Sequence, residues 1–427
     1  MKKLIKIFSV IMAFAAITTS CTDNSYERVT YTANTPVYMP FSEFRASFRK
    51  TEARDSITPG KIYFKDNYLF VNDPGKGIHV IDNANPSSPQ KIAFYEILGN
   101  VDMAIDGNIL FADSYIDLVA IDISDVNNPQ EVGRLKNVFP EILPQGDIWF
   151  PYARVDRTKG VITGWKVETV TEEYSVSGYN GWMYRGEMDF ITTNGLGNSG
   201  NWSGGAGIAG SMARFMLNEQ NLYVVSLPFR LKTVNVASET QMVVVDSVDV
   251  MRNMETLFKL QDKLFIGTTT GMLIFDLANP QMPRQIAEYN HINSCDPVVV
   301  DGQYAYVTLR TGNICANGQN LLEVIDISSI TNPYLVKSYP MFNPHGLGID
   351  GDLLFICDGN AGLKVYNKTD PMAILSNQLA HFADFNTYDV IPYNGVLMLI
   401  GSGGIYQYDY SDPTNLTLLS QIPIYTN

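Results

Sequence analysis

Seven side chains stand at one recurring place in this sequence: Lys61, Asp102, Arg214, Glu255, Asp296, His345 and Asp389. Each lies nine or ten residues before an apolar or aromatic residue with apolar neighbours, in turn Phe70, Phe111, Tyr223, Phe265, Tyr306, Phe355 and Leu399. Opposed carboxylates, cations and an imidazole, if brought together, could bind a polar ligand or share a proton, since clustered titratable groups in a concave site perturb one another. His291, His345 and His381 all sit in or beside these segments. An unperturbed imidazole titrates near pH 6.5, so a His345 facing a ligand would make binding shift between about pH 5.5 and 7.5. The competing reading is solvation: charges lining a wet channel need no ligand.

Other chemistry is thin. Nucleophile elbows, paired metal-ligand histidines, calcium loops and CxxC pairs are absent from the sequence, so neither a metal nor a cofactor is expected. The stretch GLGNSG, Gly195 to Gly200, matches a dinucleotide-binding pattern, but the phosphate site needs a helix directly after it, and NWSGGAGIAG cannot start one.

The elements that must position these residues follow from the anchors. Five of the six intervals between anchors are 41 to 49 residues, a period that, built of strand-like pieces, marks a β-propeller blade. A blade cannot bury both faces alone and must pack against its neighbours around an axis. First strands end in Asp-Gly turns, as at Asp106-Gly107, Asp301-Gly302 and Asp350-Gly351, which supply the positive φ of a tight hairpin. Third strands end in Asp82, Asp122, Asn235, Asp276, Asp326, Asn367 and Asp409, and a proline follows in most copies before an outer strand, where a missing N–H is tolerated. The fold expected is all-β: a β-propeller of seven four-stranded blades with a long insertion after the second repeat, six or eight blades remaining open. The third copy, LKTVNVAS, departs most. In this arrangement the starts of all first strands converge on one end of the axial channel.

The third strands IHVID, LVAID, LIFD, LEVID, LKVYN and IYQYD resemble the LVIVD repeat family of bacterial and archaeal surface proteins. The resemblance covers Lys61 to the C-terminus apart from the insertion. It implies the propeller fold and a cell-surface compartment, and it offers no catalytic residues to carry over.

The insertion runs from about Pro140 to Gly210 and holds all four tryptophans, Trp149, Trp165, Trp182 and Trp202. Loops on a rigid scaffold often carry function, and exposed aromatics can stack on sugars or fill a partner's pocket. The alternative is an extended hairpin around VITGWKVETV whose tryptophans pack structurally. Cys295, just before the first strand of the fifth copy, and Cys315, in that copy's enlarged loop, map to the same face of one blade. A disulfide between them is expected in an oxidising compartment, with two buried thiols as the alternative and Cys357 a core thiol.

At the N-terminus, MKKLIKIFSVIMAFAAITTSC reads as a secretion signal over residues 1–20. Its junction resembles a relaxed lipoprotein lipobox, with Cys21 as the acylated residue and a lipid anchor in the membrane. Residues 21–60 are expected as a tether and a short helix carrying Phe41, Phe44 and Phe48 toward the domain, with Arg45, Arg49 and Lys50 on a solvated face; residues 61–427 form the propeller. A net charge of −14 disfavours nucleic acid and anionic surfaces as partners. The function expected is a lipid-anchored cell-envelope module of the outer membrane, periplasmic or cell-surface, that binds a ligand, glycan or protein partner around Asp102, Arg214, Glu255, Asp296, His345 and Asp389. The enzyme alternative is a hydrolase or isomerase acting on a sugar-like substrate at the channel mouth.

Overall fold

The computed structural model describes residues 26–55, 60–175, 191–192, 208–209, 214–290, 297–311, 319–383 and 385–423. The chain divides into two units, one of residues 1–39 and 144–189 and one of residues 40–143 and 190–427. Cys21, Trp182, Trp202, His291, Cys295, Asp296 and Cys315 lie outside the described residues.

The larger unit is a propeller of seven four-stranded blades. Blade 1 begins at Ile62–Lys65, blade 2 at Met103–Asp106, blade 3 at Phe215–Asn218 and blade 4 at Met254–Leu260. Blades 5, 6 and 7 begin at Val298–Asp301, Leu347–Asp350 and Thr387–Tyr393. Blade 3, irregular in sequence, has the same four antiparallel strands as the others. Every anchor lies in a second strand and is 1% exposed or less, each worth about 1.5–3 kcal/mol if a side chain of that size is taken fully out of water.

Two local devices explain the repeat. The first residue of the hairpin turn has positive φ in each case, as Gly107 (54°), Gly302 (55°) and Gly351 (53°), and the same place is held under strain by Asp66, Glu219 and Gln261. The acidic or amide residue ending the third strand caps the turn beyond it. Asp82, Asp122, Asp326 and Asp409 each accept the N–H two residues on at 2.8–2.9 Å, and Asn235 and Asn367 do the same. This is the local hydrogen bond that suits Asx residues to turns.

Apolar clusters walk around the ring, each joining the facing sheets of successive blades. Leu231 and Leu257 share the cluster of blades 3 and 4, Phe265 and Val298 that of blades 4 and 5, and Tyr306 and Leu354 that of blades 5 and 6. The ring closes with no strand exchanged, because blade 7 takes all four strands from the C-terminal end. Ile62, Phe64 and Val71 of blade 1 instead pack on Ile391, Met398 and Ile400 of blade 7. Beside them the buried amides of Asn83 and Gln407 exchange hydrogen bonds of 2.9 and 2.7 Å.

The N-terminal part of this unit corrects one expectation. Phe41–Phe44 forms a single helical turn with Phe44 fully buried, but Arg45 is no solvated side chain. It donates to the buried Asp117 at 2.8 Å, because that carboxylate has no water to solvate it. Arg49–Thr51 pairs with the outer strand of blade 1. Backbone from the insertion also enters the propeller: Ile208–Ala209 pairs with Tyr63 and Phe64 on the inner edge of blade 1.

The smaller unit overturns the reading of a structureless tether. Tyr26–Met39 is a 14-residue strand paired with Val161–Ser175. Its Thr, Val and Tyr residues favour extended backbone even where neither face is apolar. Cross-strand pairs hold it, with Thr30 and Thr171 hydroxyls 2.8 Å apart and Tyr31 donating to Glu172 at 2.8 Å. Thus VITGWKVETV is extended, but it lies in one long strand paired with the N-terminal segment and not in the hairpin of its own neighbours that the sequence suggested. Trp165 packs edge-on against Tyr152 at 4.6 Å and donates to the Pro144 carbonyl at 2.7 Å, whereas Trp149 is 83% exposed.

Candidate binding face at the channel mouth

The loop leading into each first strand meets the end of the second strand of the same blade. Asn72 donates its backbone N–H to Lys61 at 2.8 Å, and His345 donates its own to Cys357 at 2.6 Å. The residues predicted from one position in the repeat therefore face a second set, two residues after each anchor, that includes Asn72, Asp113 and Thr308. The described side chains gather in two clusters.

The first belongs to blades 1 to 3. Lys61 forms an ion pair with Asp102, and both are buried. Asp102 also accepts the N–H of Met103 at 2.8 Å and of Arg214 at 2.9 Å. Asp113 Oδ1 accepts the N–H groups of Val101 and Asp102 at 2.8 Å and the Asn100 amide at 2.9 Å. Burial lowers the pKa of Lys61, opposed by Asp102 and assisted by Arg214. Burial raises Asp102, with Lys61 opposing, and pushes Asp113 up to about 7.

The second belongs to blades 4 to 7. His345 Nε2 lies 3.4 Å from Arg310 Nη1 and 3.3 Å from Asn343 Nδ2. Arg310 in turn feels the charge of Glu255. The ring packs edge-on against Tyr388 at 5.5 Å, and Tyr388 accepts from the Asn386 amide at 3.0 Å. Asp389 stands beside Gly346, where an added Cβ would fall 2.0 Å from Asp389 Oδ1. Burial, reinforced by Arg310, lowers the His345 pKa to about 3. The expected titration between about pH 5.5 and 7.5 is therefore corrected: the imidazole is neutral throughout that window.

Lys61, Asp102 and Arg214 are thus brought together, Glu255 and His345 both interact with Arg310, Asp389 stands beside Gly346 next to His345, and Asp296 falls outside the described residues. Counting from the first strand alone misses Asn100, Asp113, Arg310, Asn343, Asn386 and Tyr388. Counting forward two residues from each anchor finds Asp113. On the opposite, turn side, a cavity of about 220 Å³ between blades 1 and 2 is lined by Lys65, Asp66, Tyr68, Asn108, Asp125 and Asn127, and it holds none of the predicted residues. Among the described residues no group of three or more acidic, histidine or cysteine side chains could hold a metal, and no helix is long and apolar enough to cross a membrane.

A family model of the LVIVD repeat matches residues 60–96, 101–137 and 294–340, which are blades 1, 2 and 5. The protein is a seven-bladed β-propeller that carries LVIVD repeats. Solved structures similar to this chain match it at low identity. The computationally designed Ika8 protein aligns with a TM-score of 0.51 and 8% identity over 85% of this chain and 87% of its own. BamB from Moraxella catarrhalis aligns at 0.48 and 9% identity over 90% and 97% of the two chains. The Cps50 (Swd1) beta-propeller domain of Myceliophteria thermophila aligns at 0.48 and 8% over 83% and 96%. No curated protein matches the sequence.

Proposed function

We propose that this LVIVD-repeat propeller is a lipid-anchored binding module of the cell envelope, held at the outer membrane through Cys21, and that its channel mouth receives a ligand or partner. The observation that carries the binding role is the convergence of polar side chains from separate blades into clusters whose charges are already matched, Lys61 with Asp102 and Arg310 with Glu255. Groups fixed this way make a preorganised polar surface. The signal and lipobox-like junction at Thr18 to Cys21 support the anchor.

A hydrolase or isomerase is favoured by one feature, the Asp113 carboxyl near pH 7 beside Asp102, since a general acid needs such a value. Asp113 Oδ1 already accepts three N–H groups, which commits this carboxyl to holding the loop from Asn100 to Asp102. Binding is therefore the preferred function.

Mass spectrometry of the mature N-terminus tests the anchor: an acylated Cys21 is expected, and a chain beginning elsewhere with an unmodified cysteine overturns it. For the mouth, whole-protein pull-down from envelope extracts should be lost in Arg214→Ala with Arg310→Ala and kept in Trp149→Ala. The reverse pattern transfers the function to the insertion.

A further inference from the structure

We infer that the part of the mouth between blades 6 and 7 takes a neutral polyhydroxy ligand, a sugar ring, with His345 Nδ1 donating to one hydroxyl and Asn386 Oδ1 accepting from another. This deepens the binding role proposed above and depends on the mouth being the binding face.

The tautomer of His345 follows from its neighbours. An arginine nitrogen can only donate, so Nε2, 3.4 Å from Arg310 Nη1, must accept, and the ring proton is on Nδ1. His345 is 2% exposed, and its Nδ1 is buried without a hydrogen-bond partner among the described residues. Asn386 Oδ1 is likewise buried and without such a partner, while the Nδ2 of the same amide donates to Tyr388 at 3.0 Å. The two groups belong to one contact chain, because the Tyr388 ring packs against the imidazole. Buried polar groups in folded proteins are nearly always paired. An orphan donor and an orphan acceptor linked through one tyrosine call for a partner that offers both functions, as the hydroxyls of a sugar do.

Charge argues against an anion. Arg310 feels the charge of Glu255, the imidazole is neutral, and Asp389 lies against the adjoining Gly346 backbone, so an anionic ligand would meet the carboxylates of Glu255 and Asp389 as well as the Arg310 guanidinium. The half-buried Tyr388 adds an aromatic surface beside the two polar groups, the usual companion of polar contacts in a small-ligand site.

The test uses the intact protein with histidine and asparagine side chains labelled with nitrogen-15. Glucose, galactose, mannose and N-acetylglucosamine serve as neutral probes, and glucuronate and inorganic phosphate as anionic ones. At least one neutral sugar should move the His345 Nδ1 and Asn386 amide resonances. Asn386→Ala should weaken that sugar about tenfold, the equivalent of one lost hydrogen bond, and His345→Phe should remove the response. Should His345→Phe fail to fold, Asn386→Ala carries the test alone. Movement with glucuronate or phosphate but with no neutral sugar overturns the ligand class and leaves the binding face standing. Sugar binding that moves no mouth resonance and is lost in Trp149→Ala overturns both. Silence from all the sugars overturns the inference.

Discussion

Replacing Lys61 with methionine removes the cation from a pair buried on both sides, with side chains 7% and 3% exposed. Asp102 then keeps two backbone donors, Met103 at 2.8 Å and Arg214 at 2.9 Å. Breaking a buried pair by deleting one partner costs about 3–5 kcal/mol, and the retained hydrogen bonds put this site at the lower end, about 3 kcal/mol. The stranded carboxylate can escape by taking a proton. Burial already raises the folded-state pKa of Asp102, and Lys61 is the chief opposing influence, so the variant raises it further. A carboxyl whose folded pKa lies above its unfolded value binds its proton better when folded. Its penalty is absent below the unfolded value of about 3.9 and grows as pH rises toward the folded one. The destabilisation should therefore be smaller at pH 5 than at pH 8, by about 1 kcal/mol. Denaturant titrations at both pH values, followed by far-ultraviolet circular dichroism, measure it. Tryptophan fluorescence is unsuitable, because all four tryptophans lie between residues 149 and 202, in the insertion after the second repeat. Lys61→Met with Asp102→Leu, which removes both charges, should recover at least half the loss. A Lys61→Met protein within about 0.5 kcal/mol of the parent at both pH values, the range of an ordinary surface change, would refute the reasoning.

Two further outcomes are expected. Asn83→Ala leaves the buried Gln407 amide without its closing partner and should cost about 1–3 kcal/mol; additivity with Gln407→Ala in a double-mutant cycle would mean that the two amides contribute no coupled energy to the closure. Cys357 is fully buried and its thiol is raised well above its ordinary value, so thiol reagents should label it only on unfolding. With a Cys295–Cys315 bridge, the unreduced chain lacking Cys21 should yield one reactive thiol in denaturant, and three would disprove the bridge.

The blades were legible in the sequence because their causes are local. An anchor such as Phe111, a turn residue such as Gly107 and a cap such as Asp122 act within 15 residues of one another, and each recurs. The strand Tyr26–Met39 was not legible, since its partner Val161–Ser175 lies far along the chain and the pair carries no apolar alternation to announce it. The mouth was half legible. Propeller topology guarantees that first-strand starts converge, so Lys61, Asp102 and His345 could be named from spacing. Which of them pair, and with what, depends on loops of different blades: Arg310 and Tyr388 reach His345 through space with no fixed sequence offset. The charge state of His345 was decided only by tertiary structure. Its residue type sets an ordinary imidazole pKa, and it is the burial imposed by three neighbouring blades, with Arg310 held at 3.4 Å, that keeps the ring neutral.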